Sequence, residues 1–192
     1  MGSDDTEVRW RGARVTGRSL RAADLRGSFI EDAVFIDCDF TDADLTGSSH
    51  LRSTYRSCTF TRTDLSDSIF RRCALVGSVF TQCPMRHLVL DDVDFTRAGL
   101  RSADLRGLDL STCIFRDADL TRADMRYAVL RSVDLLGARP VGVRLDHADL
   151  RSAHIGPALW RSAELDHTRI ERSQAIEYAR AHHLDIDEPD RR

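Results

Sequence analysis

"ADLRGLDLSTCIFRDADLTRADM", residues 103–125, places Leu105, Leu110, Phe115, Leu120 and Met125 five residues apart. A half-buried strand repeats every two residues and a helix every 3.6. The five-residue register extends in both directions. It runs from Leu20, Leu25, Ile30, Phe35, Phe40 and Leu45 through to Leu150, Ile155, Trp160, Leu165 and Ile170. Only His50 and Pro140 interrupt it. A column of small residues lies two positions earlier: Ala23, Ser28, Ala33, Cys38 and Ala43, and later Ala98, Ala103, Cys113, Ala118 and Ala123.

Large and small residues two apart point to the same side of an extended segment. Each unit is therefore one short edge, with two side chains inward and three outward, followed by a corner. Four edges close a square coil of 20 residues, and coils stack as parallel strands about 4.8 Å apart. The expected fold is an all-β solenoid. His50 faces inward as a core histidine with one backbone partner, and Pro140 bends one edge.

The bulk composition fits a soluble globular chain: 192 residues, 42% hydrophobic and 31% charged. No apolar run is long enough for a membrane helix, and the N-terminus lacks a basic-then-apolar leader, so a cytoplasmic protein is expected. All 28 basic residues are Arg, which excludes Walker-lysine and Schiff-base chemistry. The net charge of −3 argues against direct nucleic-acid binding. Five cysteines without a C-x-x-C pair suggest free, buried thiols, with Cys38 and Cys58 stacked on adjacent coils. With no Cys–His or Ser–His–Asp cluster and no expected cleft, neither catalysis nor a cofactor is anticipated.

Positions 20 apart stack, so charge sorts by face. On the face centred on Leu25, Leu45 and Leu65, the outward acids are Asp24, Asp44, Asp64, Asp67, Asp104, Asp124, Asp146, Glu164 and Asp166, nine against five arginines. The face centred on Leu20, Phe40 and Phe60 reverses this, with three acids against seven arginines. Like charges about 5 Å apart destabilise unless something is gained. The expected gain is imitation of DNA, whose strand carries a phosphate every ~3.4 Å. A carboxylate every ~4.8 Å is a coarse copy. The repeated "LDH" at 145–147 and 165–167 stacks His147 and His167 beside Asp146 and Asp166; a surface or interface pair is the expectation, with a divalent metal the alternative.

At the ends, residues 1–12 are expected to cap one side of a repeat region over 13–172. Ser173 is expected to N-cap a helix over Gln174–His183, with a tail over 185–192.

The A-(D/N)-L-x-x pattern over about 13–172 resembles the pentapeptide repeat proteins. "GSVF" at 77–80, "LDDVDFT" at 90–96, "DLRGLDL" at 104–110, "ADLRSA" at 148–153, "ALWRSA" at 158–163 and "QAIEYARAHHL" at 174–184 are similar to that family's mycobacterial fluoroquinolone-resistance members. The resemblance implies a right-handed quadrilateral parallel β-helix. It implies a homodimer joined through the C-terminus, the helix over 173–184 included, with contacts on Trp160, Ile170, Ile176, Tyr178, Ala179 and Leu184. It also implies a DNA-mimicking partner of DNA gyrase that inhibits supercoiling and protects the enzyme from fluoroquinolones. A solenoid scaffold for another partner, or a self-immunity factor against a gyrase poison, are the alternatives.

Overall fold

The computed structural model describes residues 9–187. Each five-residue unit is one edge of a square. After Phe40, Asp42 turns the corner at φ 62°, and the Ala43 N–H donates to the Phe40 carbonyl at 3.0 Å. The same corner recurs at Leu20–Ala23 and Leu100–Ala103. A left-handed L-residue costs about 1–2 kcal/mol, so these corners persist because the ladders on both sides hold them. At Gly137, φ 73°, a Cβ would sit 2.1 Å from Asp117 Oδ1, so the corner needs glycine for space as well.

The coil length of 20 residues is read directly from the parallel pairing. On the Ile30 face, strands β1 (Arg9–Arg11), β3 (Phe29–Glu31), β5 (Ser49–Leu51), β8 (Ile69–Arg71) and β10 (Val89–Asp91) form one sheet, pairing Trp10 with Ile30, His50, Phe70 and Leu90 in succession. On the Phe35 face lie β2 (Arg14–Thr16), β4 (Val34–Ile36) and β6 (Thr54–Arg56); on the Leu20 face, β7 (Thr59–Thr61) and β9 (Val79–Thr81). The Leu25 face is joined by single parallel bridges. Strand β1 lies inside the segment expected to be a cap, whose residues 1–8 lie outside the described residues.

Large side chains fill the axis as stacked columns. Phe40, Phe60 and Phe80 lie face to face at 4.9 and 4.8 Å, Phe35 on Tyr55 at 5.0 Å, and Phe95 on Phe115 at 5.1 Å. Each such pair adds about 0.5–1.5 kcal/mol beyond its burial. His50 is a core residue as expected, but its partners are side chains. Its Nε2 lies 2.7 Å from Ser48 Oγ and its Nδ1 2.5 Å from Tyr55 Oη. Cys38, Cys58, Cys73 and Cys113 are buried free thiols in the small-residue column.

The C-terminal end departs from the repeat. Gly156-Pro157 starts a short helix α1 (Pro157–Ser162) in place of a flat edge, burying Leu159 and Trp160. Helix α2 (Arg172–Ala181) is capped by Glu171, not Ser173, through a reciprocal capping box with Gln174. Ser173 instead donates its hydroxyl to Glu171 at 3.0 Å. Gln174 is buried and its amide donates to the Leu150 and Ala153 carbonyls at 2.7 and 3.2 Å, tying α2 to the last full coil.

The register never slips, yet the ladder opens at one place. Between residues 82–92 and 101–111, the N–H groups of Met85, His87, Leu90, Asp104 and Asp109 make none of the inter-coil bonds that their equivalents make in neighbouring coils. One cause lies in the sequence. Leu88 and Leu108 occupy stacked positions where other coils carry Ser28, Ser48, Ser68, Ala128 and Ala148. Two leucines in a slot cut for hydroxymethyl or methyl groups overpack it, a cost of about 1–3 kcal/mol that separating the coils relieves. Around this seam Cys83, Ala103 and Leu108 are half-buried, whereas Ala43, Thr63 and Ala123 are fully buried.

Candidate functional site

The Leu25 face carries the acidic column. Asp24 bridges to Asp44, Asp44 to Asp64, and Asp104 to Asp124, each pair one coil apart. The side chains alternate with the inward leucines and so point to solvent. Asp44 Oδ1 accepts the Thr46 N–H and Asp64 Oδ1 the Ser66 N–H, both at 2.9 Å, which fixes one carboxylate oxygen and leaves the other outward. Pro84 interrupts the column at the seam. Arg144 interrupts it again, reaching Asp124 at 3.5 Å and Glu164 at 3.3 Å. Asp146 lies 3.9 Å from the same guanidinium, and Asp67 is bonded to His87 at 2.9 Å.

Face totals alone miss the local pairing. Asp24, Asp104 and Asp124 are each held by both Nε and Nη2 of the arginine two residues on, Arg26, Arg106 and Arg126. The Arg26 guanidinium brings the Asp24 carboxyl down to about 2. Arg106 and Arg126 likewise hold Asp104 and Asp124 below the usual carboxylate range. The D-x-R spacing that creates these forks is visible in the sequence: i and i+2 flank one inward residue and project to the same side. Asp64 has no cationic group within 4 Å among the described residues. On the opposite-signed Leu20 face, Asp39, Asp42 and Asp119 are matched by Arg21, Arg62 and Arg101.

At the corner beside the acidic face, Tyr127, His147 and His167 form an exposed stack with ring centroids 4.9 and 5.1 Å apart. Among the described residues no three metal-ligating side chains converge. No helix of the described chain is long and apolar enough to cross a membrane.

The C-terminal residues divide. Trp160 is buried beneath α2, edge-on to Tyr178 at 6.0 Å, with His182 Nε2 3.0 Å from its carbonyl. It holds the helix to the coil of its own chain rather than standing as free surface. Ile170, Tyr178, Leu184 and Ile186 are exposed, and Ile176 and Ala179 half-buried; Ile176, Leu184 and Ile186 line one shallow groove.

The sequence model for pentapeptide repeats matches in eight copies, over residues 19–49, 83–117 and 113–151. The pentapeptide repeat protein MfpA of Mycobacterium tuberculosis is 48% identical over 85 residues, covering 44% of this chain and 46% of that protein. MfpA of Mycolicibacterium smegmatis is 41% identical over 65 residues, 34% of each chain. The match therefore spans less than half the length of either relative. A trypsin-treated variant of QnrB1, a plasmid-mediated fluoroquinolone resistance protein, superposes with a TM-score of 0.71 at 19% identity, over 91% of this chain and 99% of that one. Full-length QnrB1 gives 0.56 at 19% identity, over 90% and 98%. At that identity the likeness is one of fold.

Proposed function

The chain belongs to the pentapeptide repeat family, and on that premise we propose that it is a DNA-mimicking ligand of DNA gyrase, acting in the cytoplasm as a homodimer joined at its C-terminal ends. It inhibits supercoiling and shields the enzyme from fluoroquinolones by occupying the surface that takes DNA. No bond is made or broken.

The observation that supports this reading is the register of Asp24, Asp44 and Asp64, then Asp104 and Asp124, on one face. Eight coils make a rod about 38 Å long, and two rods end to end about 75 Å, the length of about 22 base pairs. The arginine forks do not cancel the column. Asp24 and Arg26 are both 63% exposed, and ion pairs so open to water contribute little. A basic protein surface can take over such carboxylates at little cost. The exposed apolar side chains Ile170, Tyr178, Leu184 and Ile186 near the C-terminal end offer material for a two-fold contact.

Charge reversal on the face tests the reading. Asp64→Arg combined with Asp104→Arg should abolish inhibition of supercoiling by gyrase, while Asp64→Asn, which keeps an acceptor for the Ser66 N–H, should weaken it slightly. Equal inhibition by the charge-reversed and unaltered proteins would leave a scaffold for some other partner as the better account.

A further inference from the structure

The seam divides the solenoid unevenly around its square section. On the Leu25 and Ile30 faces the N–H groups of Met85, His87, Leu90, Asp104 and Asp109 make no inter-coil bond. Asp92 N–H donates to Thr112 Oγ1 at 2.9 Å instead of to a ladder carbonyl. Two grooves, of about 730 and 550 Å³, lie along this side and meet at His87, Gly107 and Leu108. On the other two faces the ladder is whole. Residues 93–100 are tied to the coil before them by Asp94 N–H to Cys73 O and Gly99 N–H to Ser78 O, both at 2.9 Å. They are tied to the coil after them by Phe95 N–H to Ile114 O at 2.7 Å and Arg97 N–H to Arg116 O at 2.8 Å. Phe95 stacks on Phe115 at 5.1 Å and meets Phe80 edge-on at 5.9 Å, so the core is continuous there as well.

We propose that residues 93–100 are a hinge about which the solenoid bends, its Leu25 and Ile30 faces parting at the seam so that the acidic face turns convex. An intact strip centred on the Arg97 corner, with a gap at the corner diagonally opposite, leaves one soft direction. Leu88 and Leu108, wedged into a column of small residues, hold the gap open. The position suits the acidic column. Pro84 stands where a carboxylate would fall midway between Asp64 and Asp104. Bending therefore turns Asp24, Asp44 and Asp64 as one block against Asp104 and Asp124, and no adjacent pair in the column is pulled apart. Resting on the reading of the chain as a DNA mimic, the partner surface is a concave basic groove of the kind that holds bent DNA. A duplex resists bending along its whole length, whereas the hinged rod bends at one point.

Spin-label distances across the hinge test the bend without gyrase. Cys83→Ala removes the half-buried thiol at the seam, and the other four native thiols are buried. Asp67→Cys with His147→Cys puts labels on the seam side, four coils apart, about 19 Å at the ladder spacing. Asp37→Cys with Asp117→Cys puts them four coils apart on the hinge side. All four positions are exposed corners. The seam-side pair should give a mean several ångströms longer and a distribution at least twice as broad as the hinge-side pair. Leu88→Ser with Leu108→Ala should bring the seam-side distribution to the width of the hinge-side one, and the milder Leu108→Ala alone should move it the same way. A narrow hinge-side peak in the same variants shows that the fold is kept. Equally narrow distributions from both pairs before the leucines are changed would overturn the hinge. So would a seam-side distribution that these variants leave as broad as before. Half-inhibition of supercoiling should need at least fivefold more of the closed variant than of the unaltered protein; equal potency would overturn the fit to a concave partner. If neither inhibits, the gyrase reading fails, and the label distances still decide the hinge.

Discussion

His50 Nδ1 lies 2.5 Å from the Tyr55 hydroxyl, in a column whose other members are Trp10, Ile30, Phe70 and Leu90. Burial drives the imidazole pKa down to about 3. The folded protein thus keeps His50 neutral where an unfolded chain, with a histidine near 6.5, takes a proton. The unfolded state binds more protons between those values, so stability rises with pH across that window and falls as acid is added. The loss should be complete only below about pH 3 and is on the order of 5 kcal/mol. Urea unfolding at pH 7 and pH 4 checks this, and His50→Leu should flatten the pH dependence.

That same variant should cost about 1–3 kcal/mol at pH 7, because the Ser48 and Tyr55 hydroxyls lose their buried partner. Adding Tyr55→Phe should recover part of the loss. A double-mutant cycle measures the coupling; strict additivity would show that the histidine and tyrosine do not act as a pair.

The arginine forks give a prediction opposite in direction to charge reversal. Arg106→Gln with Arg126→Gln leaves Asp104 and Asp124 without their bidentate partners. Their carboxyl pKa values should move back up toward the ordinary range, followed by carboxyl NMR titration. On the DNA-mimic account the unmasked acids should also lower the protein concentration needed for half-inhibition of gyrase several-fold.

Two glycine corners should respond differently to alanine. Gly107→Ala meets open space and pays only for its φ of 67°, about 1 kcal/mol. Gly137→Ala adds a clash with the Asp117 carboxylate, and should lower the melting temperature by clearly more.

Removing Trp160 should cost about 3–5 kcal/mol of local packing and release α2 from the last coil while the solenoid stays intact. Limited proteolysis within α2, with unchanged β-sheet circular dichroism, is the expected result. Loss of the dimer in the same variant would trace the assembly to the end that Trp160 supports.

The coil was legible because a period of five is enforced at every inward position, and a single slip would expose a Leu or Phe. The face of each carboxylate followed from the same arithmetic. The forks were written in the D-x-R spacing at 24–26, 104–106 and 124–126, but face totals average over such pairs. The seam was equally written in Leu88 and Leu108; inward leucines look like good core until the size of their slot is considered. The pattern put Trp160 in the inward column, where it is buried; it could not show the cover, since the turn at Gly156-Pro157 lifts its edge into a helix and α2 folds over it. The helix cap was misassigned because Ser173 and Glu171 both offer side-chain acceptors, and the buried Gln174 selects Glu171.

A supercoiling assay with purified mycobacterial gyrase, titrating this protein with and without a fluoroquinolone, tests directly whether the acidic face takes the place of DNA. Inhibition at low micromolar protein, together with fewer drug-stabilised cleaved complexes, is the expected result. Supercoiling and cleavage both unchanged, with the protein folded and dimeric, would contradict it.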